Sequence, residues 1–146
     1  MNPARAGRCA SAEVPSHRVL YVDDNPDVTD SAVDLLGIVG FEARGCYDGQ
    51  SALAAASDFH PGICLIDLNM PGMDGDEVAR RLRERGDAQV LVAVTAMSDD
   101  RSRERMSAAG FDTHLVKPVE PGELLSVIDT LWWTWARRAR TGSVDV

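Results

Sequence analysis

This 146-residue sequence predicts a doubly wound α/β domain built on a parallel sheet, and three observations carry that prediction. Short apolar runs bounded by turn residues recur at 19–22, 63–66, 90–94 and 115–116, the pattern of strands buried on both faces. Between them lie stretches whose apolar residues fall at helical spacing, so that strand and helix alternate along the chain. Each apolar run also stops on a polar residue: Asp23-Asp24, Asp67, Thr95 and Lys117. With the strands parallel and the crossovers right-handed, these groups share the carboxyl edge of the sheet, where open α/β sheets bind their ligands.

In order, the first strand ends at Asp23-Asp24, and Asn25-Pro26 supplies a helix cap and a proline at the first helical position. Val28, Ala32, Leu35, Leu36 and Val39 follow at helical spacing, and Gly40 closes that helix. The stretch 41–46 alternates instead of running apolar, as an edge strand with one wetter face does. Asp48-Gly49 turns into an Ala-rich helix through Ala56, and His60-Pro61-Gly62 leads into the central strand. Asp74 with Glu77 predicts a capping box opening the third helix, with Val78 and Leu82 facing inward and Arg80, Arg81, Arg83 and Arg85 solvated. The fourth helix, about 98–109, has Met106 as its only large apolar residue and is expected to be held loosely. The fifth starts near Pro121 and buries Leu124, Ile128 and Leu131, with Trp132 and Trp135 on a similar stripe and Trp133 off it.

The length suits one domain with one substantial core. A formal net charge of −8, from 15 basic against 23 acidic residues, repels a phosphate backbone and argues against direct nucleic-acid binding. Lys117 is the only lysine among those 15 basic residues, which suggests that a compact point charge is required there. Cys9, Cys46 and Cys64 have no metal or redox spacing and read as reduced thiols of a cytoplasmic protein. Residues 1–17 contain no apolar signal core and no later segment is long enough for a membrane span, so no membrane partner is expected.

The Asp23-Asp24 pair, Asp67 followed by Asn-Met-Pro-Gly-Met-Asp-Gly, Thr95-Ala96 and Lys117-Pro118 together resemble the receiver domain of two-component response regulators, from about Arg18 to about Leu131. That resemblance implies a five-stranded, flavodoxin-like sheet of order 2-1-3-4-5 in a three-layer α/β/α sandwich. The implied division is a flexible leader at 1–17, the receiver domain at 18–136 and a C-terminal tail at 137–146. The region 111–118 looks similar to receivers fused behind hybrid histidine kinases, yet the chain ends soon after Lys117, which favours a stand-alone receiver.

Three carboxylates in one crevice repel one another, and a hard divalent cation relieves that. Mg²⁺ is expected on Asp24 and Asp67 directly and on Asp23 largely through water; the resemblance adds the backbone carbonyl of Asn69. Phosphoryl transfer needs an in-line nucleophile and positive charge where the moving oxygens collect theirs. Asp67 is the expected phosphoacceptor, with Thr95 donating its hydroxyl to one phosphoryl oxygen and Lys117 pairing with another. The family likeness further implies a cis Lys117-Pro118 peptide, a histidine kinase or histidine phosphotransfer protein as donor, and an aromatic switch residue where this chain has His114, a departure from the usual Tyr or Phe. A helix 4, strand 5 and helix 5 face would carry the output, to a protein partner or a second copy of the chain, with Trp133, Arg137 and Arg138 at its end.

Three other readings compete. A haloacid-dehalogenase-like phosphatase wants a second Asp two residues after its nucleophile, where this chain has Asn69. A flavodoxin-type FMN binder needs a phosphate loop after the first strand, where Asp23-Asp24 would repel phosphate. A receiver-like interaction module that is never phosphorylated would have no use for the full set of Asp23, Asp24, Asp67, Thr95 and Lys117.

Overall fold

The computed structural model describes residues 17–87, 90–96 and 98–140, with side chains to 134. Five strands, β1 (Arg18–Val22), β2 (Glu42–Cys46), β3 (Ile63–Asp67), β4 (Val90–Thr95) and β5 (Thr113–Val116), form one parallel sheet in the order β2-β1-β3-β4-β5. Helices α1 (Pro26–Ile38), α2 (Gly49–Phe59), α3 (Gly75–Arg85), α4 (Asp100–Ala109) and α5 (Pro121–Arg140) alternate with the strands. The predicted α/β class and strand order are both present. The leader expected at 1–17, except His17, lies outside the described residues, as do Cys9 and the side chains of Trp135, Arg137 and Arg138. The tail expected at 137–146 begins inside α5, which runs to Arg140, and the rest of it is outside the described residues.

Period-2 alternation splits the strand residues between two cores. Leu20, Val22, Cys64 and Ile66 pack on α2 and α3 through Ala52, Val78 and Leu82. Val19, Tyr21, Leu65, Val92 and Val94 pack on α1 and α5 through Leu36, Leu124 and Ile128. The central strands β3 and β4 are buried at every residue, whereas the edge strand β2 alternates exposed and covered. Asn25 caps α1 by accepting a hydrogen bond from the Asp27 amide at 3.0 Å. Gly86 and Gly110, both at positive φ, close α3 and α4 where a side chain would be strained.

One local expectation is corrected. Asp74 makes no side-chain capping bond at the start of α3, because its carboxylate turns toward Arg105, 3.7 Å away, while Glu77 pairs with Arg81 at 2.8 Å and Arg80 at 3.4 Å. The arginines of α3 are all exposed, as expected. Arg83 donates to the Gly110 carbonyl at 2.9 Å and pairs with Asp112, and Arg85 reaches the Leu53 carbonyl at 3.3 Å, so two of the four tie α3 to its neighbours.

Helix α4 is better held than its composition predicts. Met106 and Ala109 are buried, with Met106 packed against Leu68 and Ala93. Arg105 supplies a polar attachment to the β3–α3 loop, described below. On α5, Leu124 and Ile128 are buried as expected, Leu131 and Trp132 are partly covered, and Trp133 is exposed. Trp132 stacks on His17 with ring centroids 4.4 Å apart.

Candidate functional site

Parallel pairing aligns the strand ends. Val22 lies opposite Ile66, Asp67 opposite Val94 and Thr95 opposite Val116, so the polar residues that stop the apolar runs arrive at one rim. Asp23 and Asp67 are buried there and Asp24 is exposed; one carboxylate oxygen from each can be chosen so that all three lie within 4.8 Å of one another. Lys117 Nζ reaches into the group, 3.1 Å from Asp67 Oδ2 and 3.2 Å from Asp23 Oδ2. The Lys117-Pro118 peptide is cis.

The backbone around the site is closely fitted. The Asn25 amide donates to Asp23 Oδ1 at 2.9 Å and the Asn69 amide to Asp67 Oδ1 at 3.2 Å. Thr29 of α1 donates its hydroxyl to the Asp23 carbonyl at 2.8 Å. Gly75 begins α3 hard against the phosphoacceptor candidate: a Cβ there would lie 2.3 Å from the Asp67 carbonyl oxygen, so any larger residue would push the helix off the strand end. Its amide donates to the Leu68 carbonyl at 2.9 Å.

Burial pushes the Asp67 carboxyl above the ordinary range, while Lys117 and the Asn69 amide pull it back. Burial works against the Lys117 ammonium, but Asp67 and Asp23 outweigh it and hold its pKa above the usual lysine value. Tyr21, beneath the site, is pushed up to about 12 by burial and by the Asp23 charge. Asp23 Oδ2 is buried, and beyond the Lys117 charge it has no formed hydrogen bond. One ammonium against three clustered carboxylates leaves negative charge uncompensated, and an all-oxygen donor set fits a hard divalent cation such as Mg²⁺.

The site opens into a cavity of about 1110 Å³ that runs from Asp24 and Asn69 along α1, past Val28 and Leu35, to Val119 and Leu124. Thr95 is buried at the end of β4, and its carbonyl accepts from the Lys117 amide at 2.7 Å. His114 is half-buried on β5, with Nε2 3.2 Å from the Ser98 hydroxyl in the β4–α4 loop. The structure thus brings Asp23, Asp24, Asp67 and Lys117 into one group. Asn69 and Thr95 lie at its margin, and His114 is displaced toward α4.

Sequence reasoning missed Arg105 and Asp76. Arg105 donates Nε to Asp76 Oδ2 at 2.9 Å and Nη2 to Asp76 Oδ1 at 3.1 Å. It also reaches the Leu68 carbonyl and Asn69 Oδ1, each at 3.2 Å. The Arg105 guanidinium holds the Asp76 carboxyl below the usual range. No local spacing signals a pair that belongs to two different helices.

A family model described as the response regulator receiver domain matches residues 19–129. Over 122 residues the chain is 35% identical to the sensor histidine kinase RcsC of Escherichia coli K12, covering 84% of this chain and 12% of that protein. Over 118 residues it is 36% identical to the transcriptional regulatory protein PrrA of Mycobacterium tuberculosis, covering 81% and 51% respectively. The chain therefore spans between an eighth and about half of the length of these relatives. Among solved structures it resembles chemotaxis protein CheY4 of Vibrio cholerae, with a TM-score of 0.76, 27% identity and coverage of 79% of this chain and 98% of that one. A CheY-like receiver domain protein from Methanospirillum hungatei JF-1 also gives 0.76, at 25% identity, covering 83% and 97%.

Proposed function

Because the chain belongs to the response regulator receiver domain family, we propose that it takes a phosphoryl group onto Asp67 from a histidine kinase or histidine phosphotransfer protein, in a Mg²⁺-dependent reaction, and switches a protein-binding face made of α4, β5 and α5. The observation that carries this reading is the meeting of Asp23, Asp24 and Asp67 around the Lys117 ammonium at the mouth of an open cavity. Mg²⁺ held by Asp24 and Asp67, by Asp23 through water and by the Asn69 carbonyl would neutralise the phosphoryl oxygens.

The chain's own groups account for the rest. An Asp67 oxygen attacks phosphorus as the bond to the donor imidazole nitrogen breaks, and the imidazole keeps the electron pair and takes a proton from solvent. Burial raises the Asp67 pKa and so favours the protonated, unreactive form; Lys117 opposes that shift and favours the ionised nucleophile. Once the phosphoryl group is in place, the ammonium transfers its pairing from the carboxylate to a phosphoryl oxygen, and the Thr95 hydroxyl donates to another. Movement of Thr95 pulls on the β4–α4 loop, where Ser98 is hydrogen-bonded to His114, which supports His114 as the switch residue of this chain. A further protein or a second copy of the chain would read the altered face.

The test is incubation with acetyl phosphate and Mg²⁺, followed by intact-mass measurement with and without hydroxylamine. The reading expects a phosphoryl mass gain that hydroxylamine removes and that Asp67→Asn abolishes. A wild-type chain that takes up no label in saturating Mg²⁺ would leave an unphosphorylated interaction module as the better description.

A further inference from the structure

We infer that Arg105 of α4 is a positioning residue for the metal side of the site, holding the β3–α3 loop so that the Asn69 peptide faces the carboxylate cluster. The inference rests on the functional reading above and adds a residue to it from a helix otherwise assigned only to output. A single guanidinium makes four hydrogen bonds to that loop and to the start of α3. Two go to Asp76, one to the Leu68 carbonyl and one to Asn69 Oδ1. Leu68 directly follows Asp67, and its carbonyl also accepts from the Gly75 amide at 2.9 Å, so the clamp closes both ends of the loop between Asp67 and α3. Below it, Met106 packs its side chain on Leu68. Asp76 is largely covered, with 17% of its side chain exposed, and fixes the plane of the guanidinium through two parallel bonds.

Asn69 is held at both its side chain and its backbone. Its side chain is held toward α4, where Oδ1 accepts from Arg105, and the bond from Arg105 to the Leu68 carbonyl fixes the peptide that joins Leu68 to Asn69. Arginine suits this position because its planar fork serves a carboxylate, a carbonyl and an amide oxygen together, whereas lysine offers one point charge. Groups behind metal ligands commonly control affinity in this way.

Charge and position predict opposite results, which makes the inference testable. Arg105→Gln removes a positive charge near a cation site, so a field effect alone would tighten Mg²⁺ binding. Loss of positioning would weaken it. Titration with Mg²⁺ alone, followed through the backbone amide shifts of Leu68 and Asn69, is expected to show an affinity loss of about tenfold in Arg105→Gln. Arg105→Lys, which keeps the charge and loses the fork, is expected to fall between that variant and wild type. Deuterium exchange at Gly75 should rise in both variants. Ile128→Val, buried on the opposite face of the sheet, serves as the destabilised control and should keep wild-type affinity.

Unchanged or tighter Mg²⁺ binding in Arg105→Gln would overturn the inference, as would an affinity loss in the Ile128→Val control that matches its drop in melting temperature. A wild type with no response to Mg²⁺ would overturn the metal reading of the site itself, a failure distinct from that of Arg105.

Discussion

Asp67 and Lys117 face each other across 3.1 Å, and each moves the other's titration. The folded-state pKa of Asp67 is raised, so the folded chain holds its proton to higher pH than the unfolded chain does. Stability is therefore lost as pH rises through that raised value. Asp67→Asn removes this penalty. It should stabilise the metal-free protein at neutral pH, an advantage that shrinks as pH falls from the raised value toward the ordinary carboxylate range, as paired thermal melts would show. Lys117 has the same direction of shift but the opposite meaning. Its pairing is fully present below the unfolded lysine pKa and is lost as pH rises through its raised folded value. Lys117→Arg keeps the charge on a bulkier fork, so Asp67 should still take up phosphate while exchange protection in residues 98–117 no longer responds. A normal response in that variant would refute the need for a lysine. The strand-end residues were legible in the sequence because each stops an apolar run, and such a stop has few physical explanations. Arg105 and Asp76 were not legible, because two exposed-looking charges on separate helices have no shared pattern until the sheet sets those helices side by side.

Among the elements, α4 is the instructive case. A helix with one large apolar residue reads as loosely held, yet Met106 fills the space over Leu68 and Ala93 and Arg105 adds a charged clamp. Its far end is tied as well, since Arg83 of α3 donates to the Gly110 carbonyl. The helix is therefore anchored to the loop that follows Asp67, and its apolar anchorage remains small. Beryllofluoride with Mg²⁺ should change deuterium exchange in residues 98–117; changes restricted to the loops around Asp67 would remove α4, β5 and α5 from the output path. Asp112 makes a separate prediction. Its carboxylate accepts from the Leu91 amide at 2.8 Å and pairs with Arg83, so Asp112→Ala leaves a buried strand amide without that partner. A destabilisation of about 1–3 kcal/mol in denaturant unfolding is expected. The failed capping box at Asp74 has the same origin as the missed clamp: a long-range arginine outcompetes a local bond that the sequence favoured.

At the scale of the molecule, the class and layering were readable because continuous apolar runs admit only a sheet covered on both faces. The strand order was not contained in that periodicity; it came with the resemblance, and it is the observed β2-β1-β3-β4-β5. This order sets β1 beside β3 at the switch point and so assembles Asp23, Asp24 and Asp67 from segments more than 40 residues apart. The cavity lined by Asp24, Asp67 and Lys117 opens at that point, and no helix among the described residues is long and apolar enough to cross a membrane. The central proposal is that Asp67 takes up the phosphoryl group. Borohydride reduction of the protein after acetyl phosphate and Mg²⁺ treatment converts an aspartyl phosphate to homoserine, and peptide mass spectrometry reads its position. The expected result is homoserine at position 67 alone, dependent on Mg²⁺; homoserine at position 23 or 24, or none while the wild type is demonstrably labelled, would contradict it.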